Sequence, residues 1–133
     1  MTKKLVVPNP PPAVNDPDGI RALVDLYYDL QKSRIALGNR IKAIERKASS
    51  ETKNEQEQIA LVFDRARALE KMIVSVFMLY VKDKPGSSFL SETKGIGPVL
   101  SANLIATYGN CSRFPTISKL WAWSGLASFD LPD

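Results

Sequence analysis

Two glycines, a proline and a lysine carry the most specific chemistry in this chain. In LSETKGIGPVLSANLIATYG (residues 90–109), Gly95 and Gly97 flank Ile96, Lys94 precedes them and Pro98 follows. Glycine reaches backbone conformations closed to most residues and lets another backbone come close. Proline suits the first turn of a helix, where its missing N–H has no partner anyway. Val99, Leu100, Ala102, Leu104, Ile105 and Tyr108 then supply a packing face, and Gly109 is a natural stop. Exposed N–H groups at such a helix start form an anion site, with Lys94 as an adjacent cation. The chemistry on offer is therefore phosphate binding through Lys94, Gly95, Ile96 and Gly97. The plainer alternative is a tight turn between packed helices.

The pattern resembles the helix-hairpin-helix motif, which holds a DNA phosphate on backbone N–H groups irrespective of base sequence. A second candidate surface is electrostatic. From Met1 to Ala48 there are nine basic residues against five acids, which accounts for the whole net charge of +4. Lys32, Arg34, Arg40, Lys42, Arg46 and Lys47 crowd into one stretch with the single acid Glu45. Such a stretch can follow a phosphate backbone, or it can simply keep a helix face solvated.

Other chemistries are closed. There is no histidine and one cysteine, Cys111, so the usual zinc sites, an internal disulfide and Ser-His or Cys-His catalysis are excluded within this chain. No carboxylates stand out as a two-metal set; Asp64 and Glu70 read as surface charges on different faces of one helix. No catalytic residue, metal ligand or cofactor is assigned. No apolar run approaches a membrane span and the charged start lacks a signal-peptide core, which makes the cytoplasm the expected location.

The elements that must position these residues read as all-α. Residues 1–15 form a proline-rich, extended leader. Asp16 reads as an N-cap and Pro17 as the first helical residue. Ile20, Leu23, Tyr27, Leu30, Arg34, Leu37, Ile41, Ile44 and Ala48 then recur in steps of three and four, a heptad seam broken only by Arg34. After the polar interruption SSETKN (residues 49–54), a second seam runs through Ile59, Val62, Ala66, Leu69, Ile73, Val76 and Tyr80. Two such helices should pack as a long antiparallel hairpin, a coiled-coil arm spanning 16–82. Its apolar excess calls for further burial, against a partner chain or the C-terminal domain.

Residues 83–88 read as a linker, because Pro85 and Gly86 cannot continue the helix. A small helix-hairpin-helix-like domain follows over 89–133, with a last helix near Ile117–Ser124. Trp121 and Trp123 are two residues apart and face different sides, one toward the core and the other over a neighbouring surface. The chain stops at SFDLPD within a new apolar stretch, which reads as a truncated product or part of something longer.

The order of these parts resembles the C-terminal half of insertion-sequence transposases that join an N-terminal RuvC-like DEDD domain to a C-terminal transposase domain, a family that includes bridge-RNA-guided recombinases. LQKSRIALGNRIKAIER (residues 30–46) resembles the arginine-rich "RxxLxNRIxxL" helix of the family's arm. KGIGPVLSANLIATYGNCSRFPTISKLWAWSGL (residues 94–126) resembles the "GIGPxxAxxLxAxxGDxxRFxxxxxLxxYxGL" opening of its transposase domain. The family's four acidic metal ligands lie in the N-terminal domain, where this chain has its proline leader. Its nucleophilic serine lies downstream of the "GL" block, and Ser124 falls where the family often has alanine. No catalytic residue carries over.

The resemblance implies a transposase-derived, nucleic-acid-binding protein involved in DNA transposition or recombination, without its own catalytic centre. DNA is the expected partner, guide RNA a second one, and a second copy of the chain a third through the arm. The alternative is a helical oligomerisation module with no nucleic-acid role. A further alternative is one piece of an active recombinase whose catalytic parts come from elsewhere.

Overall fold

The structure is a computed structural model and describes residues 14–47 and 53–125. Five helices follow one another: α1 (Pro17–Arg46), α2 (Lys53–Val81), α3 (Ser87–Glu92), α4 (Pro98–Tyr108) and α5 (Ile117–Ser124). Residues 1–13 of the expected leader, residues 48–52 and the residues after Gly125 lie outside the described residues. Lys53 and Asn54, read as part of the polar interruption, already belong to α2.

α1 starts where its capping chemistry dictates. The Asp16 carboxylate accepts hydrogen bonds from the Asp18 and Gly19 N–H groups at 3.3 and 3.2 Å, and Pro17 occupies the first turn. Asp18 near the start and Arg46 near the end complement the helix dipole. At 1.5 Å per residue α1 is about 45 Å long. α2 lies against it in the opposite direction, because residues from the start of α1 meet the end of α2 and the reverse. Tyr27 meets Phe77 edge-on with ring centroids 6.4 Å apart, Arg34 bonds Glu70, and Gly38 lies against Phe63.

The seam of α1 is as its spacing implies. That of α2 differs by one position in its first two heptads, whereas Val76 is buried as its spacing implies. Val62 and Leu69 point outward, at 56% and 43% exposure, while Glu70 and Phe77 are buried and Phe63 half-buried. The inward line is therefore Ile59, Phe63, Ala66, Glu70, Ile73, Phe77 and Tyr80, still in steps of three and four, with Val76 buried beside Phe77 in the cluster that includes α4. Glu70 is not a surface charge, because Arg34 across the seam makes its burial tolerable.

The core sits at one end of the hairpin, where α4 packs on both long helices. Ile20 and Val24 of α1, Ile73, Val76, Phe77 and Tyr80 of α2, and Ala102, Ile105 and Ala106 of α4 form one buried cluster. The small Ser101, Ala102 and Ala106 let α4 approach closely, whereas Leu100, expected on the packing face, is 38% exposed. Phe77 and Ile20 are the fully buried anchors. Truncating Phe77 to alanine should cost about 3–5 kcal/mol. The apolar excess of α2 near its end is thus covered by α4 at Ile73, Val76, Phe77 and Tyr80, while Met78 and Leu79 stay exposed.

α5 is held to the end of α4 by one cluster. The Arg113 guanidinium lies 4.6 Å from the Trp123 ring centre and 4.8 Å from that of Phe114. It also donates to the Thr107 carbonyl at 2.6 Å. Tyr108 meets Trp123 edge-on at 5.4 Å. Neither tryptophan is core: Trp121 and Trp123 are 54% and 50% exposed. Among the described residues, Tyr108 at the end of α4 and the Arg113–Phe114 segment are what meets Trp123.

Candidate nucleic-acid interface

The hairpin before α4 is built by turn chemistry. Thr93 closes α3, its hydroxyl donating to the Phe89 carbonyl at 2.7 Å. The Ile96 N–H donates to the Thr93 carbonyl at 3.2 Å, closing a tight turn through Lys94 and Gly95. Gly95 has φ +90°, a conformation that side-chain-bearing residues rarely adopt. Ser87 and Ser88, expected in the linker, already belong to α3.

This geometry redistributes the donors. Ile96 spends its N–H on the turn, so it has none to offer a phosphate. Among the described residues, the N–H groups of Gly97, Val99 and Leu100 have no hydrogen-bond acceptor, as befits the first turn of a helix whose N-cap supplies no side chain. Val99 and Leu100 were legible only as packing residues; their role as donors follows from the helix starting at Pro98. Lys94, Gly95 and Gly97 are all exposed beside them.

Gly97 differs from Gly95. Its φ of −93° and ψ of −175° are open to any residue. A Cβ built there would meet nothing within 4 Å. No feature of the described fold requires glycine at this position.

The basic residues of α1 form a separate group. Lys32, Arg40, Lys42, Arg46 and Lys47 are exposed, with no ion-pair partner among the described residues. Arg34 stands apart from them. Its side chain is 25% exposed and its Nε donates to Glu70 Oε2 at 2.5 Å. Because α4 packs at the level of Ile20 and Val24, the cations begin about 12 Å and end about 35 Å further along α1. The hairpin and the basic stretch are not brought together; the hairpin lies at one end of the rod and the cations run from its middle to the other end.

Beside the hairpin lies an open groove of about 610 Å³, between the end of α2, α3 and the start of α4. Among the described residues, no three acids or cysteines come together as metal ligands, and no helix is long and apolar enough to cross a membrane.

No curated protein and no solved structure matches this chain. One family does: residues 87–130, about a third of the chain, from the start of α3 through the hairpin, α4 and α5, match the Transposase IS116/IS110/IS902 family.

Proposed function

We propose that this chain is a transposase-derived nucleic-acid-binding protein that holds a DNA phosphate at the hairpin. The phosphate lies on the N–H groups of Gly97, Val99 and Leu100, with Lys94 adding charge and Gly95 and Ile96 shaping the turn. The observation that carries this is Gly97. Its conformation needs no glycine and its missing Cβ leaves open space, so the glycine is explained by an outside partner whose atoms come close to the backbone. The family match over the same residues supports it.

Lys32, Arg40, Lys42, Arg46 and Lys47 supply a second set of phosphate contacts along the arm, to DNA or to a guide RNA. Arg34 contributes little there, since Glu70 neutralises it. The chain binds rather than cuts. In the wider reaction, a RuvC-like DEDD domain and a serine of the kind found in bridge-RNA-guided recombinases would supply the chemistry.

The test is a salt titration of duplex-DNA binding for the native chain and for Gly97→Val, with folding checked by circular dichroism. About six phosphate contacts should lose roughly 10³-fold in affinity between low and moderate salt. Gly97→Val should weaken binding while leaving helicity intact. Binding that ignores both salt and the substitution removes the hairpin from the interface.

A second reading, assembly through the arm, is favoured by the exposed Ile35, Leu61, Val62 and Leu69. Sedimentation at micromolar concentration decides it: a monomer excludes it.

A further inference from the structure

The groove beside the hairpin does not belong to a plain duplex-phosphate contact, which needs only backbone donors and a cation. Its floor and walls are apolar, from Met78, Leu79, Val81 and Ile96, and Lys82 lies at its rim. Its volume of about 610 Å³ falls within the range of roughly 300–1,000 Å³ typical of small-molecule sites.

Ser101 gives the groove its specificity. It is 4% exposed and lines the groove one turn into α4. Its hydroxyl has no hydrogen-bond partner among the described residues, yet it is not sealed off from solvent. A buried hydroxyl left unpaired is costly unless a ligand or water reaches it. Gly97 and Pro98 line the same groove, so the start of α4, which carries the free N–H groups, lies at its edge.

We infer that this groove takes an unpaired nucleotide of DNA. The base enters between Met78, Leu79 and Ile96, its polar edge reaches the Ser101 hydroxyl, and its phosphate lies on the Gly97, Val99 and Leu100 N–H groups with Lys82 and Lys94 flanking. Charge complementarity selects the phosphate. The assignment to DNA follows from the phosphate site proposed above; the Ser87, Ser88 and Ser91 hydroxyls that also line the groove would pair a 2′-hydroxyl equally well. This rests on the phosphate site proposed above and adds that its ligand is a distorted or single-stranded segment.

The experiment compares, by fluorescence anisotropy, a duplex, the same duplex with one extrahelical nucleotide, and the same duplex with an abasic residue at that position. The native chain should bind the extrahelical base at least about tenfold more tightly than the other two. Ser101→Ala, close in volume, and Met78→Ser, at a half-exposed position, should both abolish that preference while keeping duplex affinity. Equal binding of all three probes overturns the nucleotide groove but leaves the phosphate site standing. Binding of none overturns both. Tighter binding of an RNA of the same form overturns the assignment to DNA, and a preference that survives both substitutions overturns the groove as its location.

Discussion

Arg34 and Glu70 face each other across the middle of the helical hairpin, Nε donating to Oε2 at 2.5 Å, with the glutamate side chain only 9% exposed. The pair sits at seam positions on both helices, so each residue occupies a place that packing alone would give to an apolar side chain. A charged pair there fixes which residues of α1 and α2 lie opposite one another, since any slip buries a charge without its partner.

The two halves of that pair should not be equivalent. Arg34→Ala strands a buried carboxylate and should cost about 3 kcal/mol. Glu70→Ala leaves an arginine already 25% exposed, which can extend to water, and should cost about 1 kcal/mol. Replacing both with leucine should be neutral or stabilising. Urea unfolding midpoints at constant slope read all three; equal losses for the two single variants would refute the asymmetry.

The two hairpin glycines should separate stability from binding. Gly95→Ala forces a side chain into φ +90° and should cost about 1–2 kcal/mol. Gly97→Ala should leave the melting temperature within a degree or two, because neither backbone nor space opposes it. Thermal unfolding by circular dichroism checks this, and a loss at Gly97 matching that at Gly95 would contradict the geometry.

Burial pushes the Tyr80 phenol above its ordinary value of 10.0, and the nearby Asp16 carboxylate adds to the shift. The folded chain then keeps a proton that the unfolded chain has released. Tyr80 therefore contributes full stability below pH 10, lost as pH rises from there toward the raised folded value. The stability of Tyr80→Phe relative to the native chain should be flat at neutral pH and improve only above pH 10. A difference that stays constant through that window would show that the phenol does not titrate as described.

Arg113 should act as the clasp of α5. Arg113→Lys keeps the charge but loses the planar face over Trp123 and Phe114 and the fixed bond to the Thr107 carbonyl. Amide hydrogen exchange over residues 117–124 should accelerate roughly tenfold or more, from contacts worth about 1–2 kcal/mol. Exchange in the centres of α1 and α2 should not change. Acceleration spread across all helices would instead make Arg113 part of the global core.

Local rules written in adjacent residues were legible without the fold. The Asp16 cap, the Pro17 start, the stop after Val81 and the Pro98 start of α4 each depend on atoms within one turn. So did the helical arm, since a seam of three- and four-residue steps leaves few other ways to bury Leu30, Leu37 and Ile73. The hairpin was legible as a candidate because Gly-Ile-Gly-Pro encodes a turn and a helix start together.

Choices between equivalent neighbours were not legible. Val62 against Phe63 and Leu69 against Glu70 satisfy the same periodicity; apolarity does not separate valine from phenylalanine, and it favours leucine over glutamate. Only the opposite helix, carrying Arg34 and the space beside Gly38, turns α2 so that Glu70 and Phe63 face inward. Likewise the spacing of Trp121 and Trp123 shows that they diverge, but not that both remain half-exposed.

By itself, the sequence determined an all-helical chain, its capped helix starts, the heptad arm, the basic stretch and the exclusion of histidine and disulfide chemistry. Each of these follows from short-range sterics, hydrogen bonding or composition. Tertiary structure alone decided the rotation of α2, the docking of α4 on the end of the arm, the distance between hairpin and cations, and the groove that exposes the Ser101 hydroxyl. Those depend on which surfaces meet, and that is set by the simultaneous packing of three helices rather than by any one of them.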